Sequence, residues 1–112
     1  MRYNSTRDSG VSVESAEAIF RGISADGGLY VPETVPWLSY DELQRLAGDN
    51  YVTRAADILS RFLTDYAPGE LLDCVAATYT RDRFGTESIA PLYEIGSGEY
   101  MLELWHGPTC AF

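Results

Sequence analysis

The sequence predicts an α+β fold, with a mostly helical N-terminal region that contains short strands and leads into a β-hairpin. Apolar residues recur at helical spacing through residues 39–84, whereas a short extended apolar segment follows a glycine turn at residues 26–28. Further along, two apolar runs enclose a glycine-containing turn at residues 96–98, a pattern typical of a hairpin. With 46% hydrophobic residues in a chain of 112, a buried core is expected rather than disorder.

The first third of the chain is predicted to hold two short strands and one helix. Residues 2–7 are expected to form the first strand. Ser12 is the candidate N-cap of a helix, because an acidic residue in its first turn would favour the helix dipole, and Gly22 is expected to end it. The apolar residues 29–31 after the glycine turn predict the second strand, which Pro32 closes.

Three successive helices are predicted in the middle of the chain. Ser39 and Glu42 have the spacing of a capping box, in which each side chain satisfies a backbone donor of the other residue. Asn50 is the candidate cap of the second helix, and Pro68 suits the first turn of the third. The third helix is expected to continue to Gly85.

The composition changes at Gly85, so we expect a helical domain over residues 1–85 and the start of a second domain over residues 86–112. Residues 91–95 and 100–104 are the predicted strands of the hairpin, with glycines in the turn between them. Glu103 alternates with two leucines and is therefore expected to face away from them, either solvated or paired.

Charge and cysteine content argue against several classes of function. Seventeen acidic residues against eight basic ones give a net charge of −9, which disfavours nucleic acid and anionic membrane as partners. With no bilayer-spanning run and polar residues after Met1, a cytoplasmic location is expected. Cys74 and Cys110 lack the spacing of a metal or redox motif, and no metal site is predicted. Cys74 lies on an apolar helical face, so a buried thiol is expected.

The end of the chain holds the main candidates for a functional site. His106 is the only histidine and follows the last predicted strand, where ligands often bind, although a structural hydrogen bond explains a lone histidine as well. Gly107 and Pro108 fix a tight backbone, which is equally compatible with a plain turn. The hydroxyl of Thr109 suits a substrate oxygen, a cofactor phosphate or the cap of a following helix. Phe112 is expected to pack nearby.

A second candidate lies at the N-terminus. Ser5, Thr6 and Arg7 combine two hydroxyls with a guanidinium, a set that suits a phosphate group. An N-terminal arm held by a salt bridge explains the same residues.

Residues 102–112, with the sequence LELWHGPTCAF, resemble the segment of threonine synthases that leads into the cofactor-bearing loop. Residues 3–7 and 26–32 are similar to two further motifs of that family, and the three predicted helices correspond to its small N-terminal helical domain. The resemblance covers nearly the whole chain. The departures are Asp8 in place of a common glycine, Trp105 in place of phenylalanine, and Cys110 in place of leucine.

The resemblance implies a pyridoxal-phosphate enzyme of the tryptophan synthase β-like fold (fold type II), with residues 86–112 at the start of its cofactor domain. The family converts O-phospho-L-homoserine and water to L-threonine and phosphate. Its motif continues into Lys-Asp, and this lysine binds pyridoxal phosphate as a Schiff base, so we expect a lysine directly after Phe112. All eight basic residues here are arginines, and a guanidinium cannot serve as the amine.

No catalytic residue is therefore expected within this chain, which should be inactive alone. The resemblance implies that His106, Gly107, Pro108, Thr109 and Phe112 neighbour the cofactor or the substrate. Two alternatives stay open: a related pyridoxal-phosphate enzyme that catalyses another β- or γ-elimination, and a helical interaction module without catalysis. The apolar end of the chain suits a larger sheet, so we expect the isolated chain to expose apolar surface and to self-associate.

Overall fold

The computed structural model describes residues 1–109 and has the predicted α+β architecture. Its elements in chain order are β1 (Arg2–Ser5), β2 (Ser12–Glu14), α1 (Ser15–Arg21), β3 (Tyr30–Pro32), α2 (Tyr40–Gly48), α3 (Tyr51–Phe62), α4 (Pro68–Thr78), α5 (Arg81–Phe84), β4 (Leu92–Gly96) and β5 (Glu99–Leu102). The strands form one three-stranded and one two-stranded sheet.

The three-stranded sheet contains one strand that the sequence analysis missed. β1 lies in the centre and pairs antiparallel with both β2 and β3, so that Tyr3 is opposite Val13 on one side and Pro32 on the other. The prediction that Ser12 caps a helix was wrong, because residues 12–14 satisfy their backbone groups by pairing with β1.

Helix α1 therefore begins at Ser15, and a residue far along the chain caps it. The Ser15 hydroxyl donates to the carboxylate of Asp65, and the Ala16 amide donates to the same carboxylate at 2.9 Å. At the other end Gly22 terminates the helix with a φ of 69°, as the sequence predicted.

The helical region confirms the predicted starts of its three main helices. The Glu42 amide donates to Ser39 Oγ at 3.3 Å, and the Ser39 amide donates to Glu42 Oε2 at 2.8 Å, which completes the capping box. Asn50 Oδ1 accepts a hydrogen bond from the amide of Thr53 at 2.9 Å. Pro68 occupies the first turn of α4.

The third predicted helix is divided in two. α4 ends at Thr78, and the short helix α5 follows, with Thr80 Oγ1 accepting from the Arg83 amide at 3.4 Å. A threonine that caps a new turn competes with continuation of the old helix. Gly85, at φ 68°, ends α5 at the predicted position.

The predicted burial of Cys74 was also wrong. On α4 only Leu71 and Val75, one turn apart, reach the core, with 5% and 3% of their surface exposed. Cys74 is exposed and lines an open apolar cavity of about 260 Å³ between α1, α3 and α4.

The two-stranded sheet is the predicted hairpin, with Leu92 opposite Leu102 and an irregularity between Glu94 and Gly96. Gly98 adopts a φ of 76° in the turn, as the glycine-containing turn predicted. The second strand ends at Leu102 rather than at residue 104, so the chain leaves the sheet two residues earlier than expected.

Large apolar side chains cover much of the surface, whereas the buried apolar core is small. Within residues 1–109 the buried apolar residues are Val13, Ala18, Leu46, Leu71 and Val75. Phe20 is 91% exposed, Trp37 is 79% exposed, and both strands of the hairpin are exposed along most of their length. The prediction that the chain exposes apolar surface is confirmed.

Candidate functional site

The loop that follows β5 contains the main candidates, and its first residue is anchored by the hairpin. The Glu103 amide donates to the carbonyl of Pro91 at 2.9 Å, which closes the open end of the two strands. The backbone of Glu103 is thereby held at the edge of the hairpin, although β5 has already ended.

His106 lies against Glu103. Its Nε2 atom is 2.5 Å from Glu103 Oε2, and the two side chains are only 22% and 19% exposed. Glu103 was expected to be either solvated or paired, and the structure selects the paired form. The centroid of the Trp105 ring lies 5.7 Å from that of the imidazole, and the two ring planes are tilted by 35°.

Gly107 brings the backbone of this loop against the helical region. A Cβ atom at this position would lie 3.4 Å from Cε1 of Phe84, the last residue of α5. The Phe84 ring is in turn 5.7 Å from Tyr79, whose ring packs edge-on against Tyr51 at 5.1 Å. A row of aromatic rings thus connects the loop to α3 and α4.

The remaining candidates of this segment are either exposed or outside the described residues. Pro108 and Thr109 are exposed. Phe112 and Cys110 lie outside the described residues.

The N-terminal candidates lie together with the glycine turn at residues 26–29. The Ser5 hydroxyl is buried and is 2.8 Å from each carboxylate oxygen of Asp26, and it accepts a hydrogen bond from the Arg7 amide at 3.2 Å. Thr6 Oγ1 accepts from the Leu29 amide at 3.0 Å. The Arg7 guanidinium donates to the Asp26 carbonyl at 3.1 Å.

The carboxylate of Asp26 is the centre of this unit. It also accepts a hydrogen bond from the Gly28 amide at 2.8 Å. This backbone bond first, and the Ser5 hydroxyl second, hold the pKa of Asp26 below its ordinary value, because both stabilise the charged form. A Cβ atom at Gly28 would collide with Ser5 Oγ, so only glycine fits there.

The structure therefore separates the candidates into two groups. Among the hydrogen bonds of residues 1–109, none joins the Ser5–Arg7 unit to the loop at 103–109. Sequence reasoning missed Asp26 as the partner of Ser5, and it did not connect Glu103 with His106. The spacing of three residues between Glu103 and His106 was the available signal for the second pair.

Clusters of metal ligands and membrane-spanning helices are absent from the part of the chain that the structure describes. Within residues 1–109 no group of three or more histidine, cysteine or acidic side chains is placed to hold a metal ion. Over the same residues, every helix is too short or too polar to span a bilayer.

Known proteins are similar to this chain along its whole length. The family model described as the threonine synthase N terminus matches residues 2–79. The threonine synthase of Methylobacillus glycogenes is 37% identical over 119 residues, which cover 100% of this chain and 25% of that protein. Human threonine synthase-like 1 is 36% identical over 100 residues, which cover 87% of this chain and 13% of that protein.

A solved structure agrees with these sequence matches. The threonine synthase of Brucella melitensis with pyridoxal phosphate bound superposes with a TM-score of 0.84 at 30% identity, over 96% of this chain and 23% of that one. The fold and the matches define an α+β domain of the kind that forms the N-terminal region of threonine synthases. The chain belongs to the threonine synthase family. It spans about a quarter of the Methylobacillus and Brucella proteins.

Proposed function

We propose that this chain is the N-terminal part of an enzyme that converts O-phospho-L-homoserine and water to L-threonine and phosphate. The observation that supports the proposal best is the loop at 103–109, in which the family's His-Gly-Pro-Thr motif is fixed by Glu103, Pro91 and Phe84. Such a loop presents its polar groups in a defined geometry, as a binding site requires.

The residues of this chain do not by themselves fit the covalent attachment of pyridoxal phosphate. The sequence contains no lysine, and arginine cannot form the Schiff base. We propose that the required lysine follows Phe112 and that the remaining cofactor contacts lie beyond it. The cofactor, when bound, acts as an electron sink for carbanion chemistry.

In this proposal the residues of the chain orient and enclose the cofactor and the substrate, and none of them takes part in a covalent step. His106 would lie beside the cofactor or the substrate, and the exposed hydroxyl of Thr109 would donate to one of their oxygens. Of the N-terminal candidates Ser5, Thr6 and Arg7, the last two are proposed to contact the substrate phosphate, because the Ser5 hydroxyl donates to Asp26. The domain boundary near Gly85 and the cytoplasmic location remain predictions.

The proposal is tested with a polypeptide that extends this chain to its natural stop codon. Phosphate release from O-phospho-L-homoserine, together with formation of threonine, is measured with pyridoxal phosphate present. We expect both products from the extended polypeptide and neither from the 112-residue chain. A folded, cofactor-loaded polypeptide that releases no phosphate would contradict the proposal.

Two alternatives are tested with the same extended polypeptide and other substrates. The first alternative is a related enzyme that catalyses another β- or γ-elimination, and the match to a human protein named threonine synthase-like 1 is compatible with it. Elimination from other β- or γ-substituted amino acids, without threonine formation, would favour that alternative. The non-catalytic interaction module would be favoured only if the loaded polypeptide were inert with every substrate while remaining a folded monomer.

A further inference from the structure

We propose that Glu103 is a positioning residue for His106, holding the imidazole through Nε2 so that Nδ1 is the nitrogen left for another group. The inference deepens the proposed function, on which it depends only for the identity of the molecule that meets Nδ1. The pairing itself is a property of this chain.

The geometry of the pair supports a strong hydrogen bond. Nε2 and Oε2 are 2.5 Å apart, so the two groups are in direct contact, and a hydrogen bond to an ionised acceptor is stronger than one between neutral groups. Both side chains are about four-fifths buried, which weakens the competition from water. The backbone of Glu103 is held by its bond to Pro91, so the carboxylate has a fixed base from which to act.

The chemistry of the two groups determines where the proton lies. An ionised carboxylate only accepts, so Nε2 must carry the hydrogen. In the neutral imidazole Nδ1 is then an acceptor, and in the protonated imidazole it is a donor. Either form leaves Nδ1 as the one nitrogen that can bond another group, whereas either nitrogen of an unpaired histidine could do so.

The contacts of the loop indicate that Glu103 orients the imidazole ring and is not needed to hold the backbone. Pro91 fixes the backbone before the imidazole, and the packing of Phe84 against Gly107 fixes it afterwards. The path of the backbone is thus set on both sides of His106 without the carboxylate. The carboxylate therefore fixes the orientation of the imidazole ring about its side-chain bonds.

The first test uses the fact that His106 is the only histidine of the 112-residue chain. Proton–nitrogen NMR of the imidazole is expected to show a downfield Nε2 proton that exchanges slowly with water. The signal should persist in Glu103→Gln, whose amide oxygen still accepts, and disappear in Glu103→Leu. Glu99→Leu, on the same hairpin, is the matched control and should leave it unchanged. A rapidly exchanging Nε2 proton in the unsubstituted chain would overturn the proposal, even if Glu103→Leu does not fold.

The second test uses the extended enzyme polypeptide and a double-mutant cycle. Loss of a hydrogen bond to a charged group is expected to lower kcat about 10- to 100-fold in Glu103→Leu, with a smaller change in KM and partial rescue in Glu103→Gln. In a His106→Ala background the same change at Glu103 should have almost no further effect, because Glu103 acts through His106. An equal loss in both backgrounds would show a merely structural role. If the unsubstituted polypeptide releases no phosphate, the proposed function fails, while the NMR test still decides the pairing.

Discussion

Replacing Gly28 by alanine is the most informative single change in this chain. The added methyl group would lie 2.1 Å from Ser5 Oγ, 3.0 Å from Asp26 Oδ1 and 3.1 Å from the backbone nitrogen of Arg7. Ser5 belongs to the central strand β1, Arg7 follows two residues after it, and Asp26 lies in the turn, so the backbone leaves little room to relax. The Ser5 hydroxyl must rotate away and lose its partners.

The cost follows from two effects at a buried position. Inserting a methyl group into a filled site costs about 1–3 kcal/mol. Leaving the hydroxyl of Ser5, only 5% exposed, without its partners costs about 1–3 kcal/mol more. Because some relaxation is shared, we expect a total of about 2–4 kcal/mol. For 112 residues that corresponds to a fall in Tm of about 8–17 °C.

The assay is thermal and urea unfolding followed by circular dichroism. Gly48→Ala is the matched control, since a Cβ atom there meets nothing within 4 Å at the end of α2, and its stability should be unchanged or slightly higher. In a Ser5→Ala background the clash with the hydroxyl is absent, so Gly28→Ala should cost clearly less than in the native chain. The reasoning is refuted if Gly28→Ala is as stable as Gly48→Ala.

Three further outcomes are expected of the isolated chain. The pKa of Glu42 is lowered from 4.5 to about 2 by the amide of Ser39, then by the Ser39 hydroxyl and by Arg61. A carboxyl group with a lowered pKa stabilises the fold above pH 4.5, and this stabilisation is lost as the pH falls towards 2. Urea titrations between these two pH values should therefore show that the free energy of unfolding depends less on pH in Glu42→Gln than in the unsubstituted chain. Leu71→Ala should cost about 2–5 kcal/mol in urea unfolding, whereas the neighbouring Leu72→Ala, at a position 43% exposed, should cost far less; equal losses would contradict the assigned core. Sedimentation should show that the chain self-associates, and an apolar dye should bind to its exposed surface. A monomer that binds no dye would contradict this expectation.

The features that sequence reasoning predicted correctly are those whose cause lies within a few residues. Ser39 and Glu42 satisfy each other across one helical turn, Asn50 caps its own helix, and Pro68 stands where a missing amide costs nothing. Gly98 supplies the positive φ that a two-residue hairpin turn requires. Such signals act before tertiary packing and survive it.

The features that were missed depend on partners far along the chain. Residues 12–14 form a strand because β1 offers an edge, and the cap of the following helix comes from Asp65. No local pattern indicates either partner. Thr80 is a different case, because a threonine is a local capping signal, but the predicted third helix ran through it to Gly85.

The N-terminal motif illustrates how family motifs can have structural causes before functional ones. Residues 3–7 and 26–32 resemble the family together, and the structure bonds them into one unit around Asp26. The proton of the Ser5 hydroxyl is directed at that carboxylate, so Ser5 has no donor left for a phosphate without breaking the unit. Thr6 uses its oxygen as an acceptor and keeps its proton, and Arg7 is exposed and uses one of its five donors on the Asp26 carbonyl. A phosphate contact at this end of the chain would therefore be made by Thr6 and Arg7, with Ser5 holding them in place.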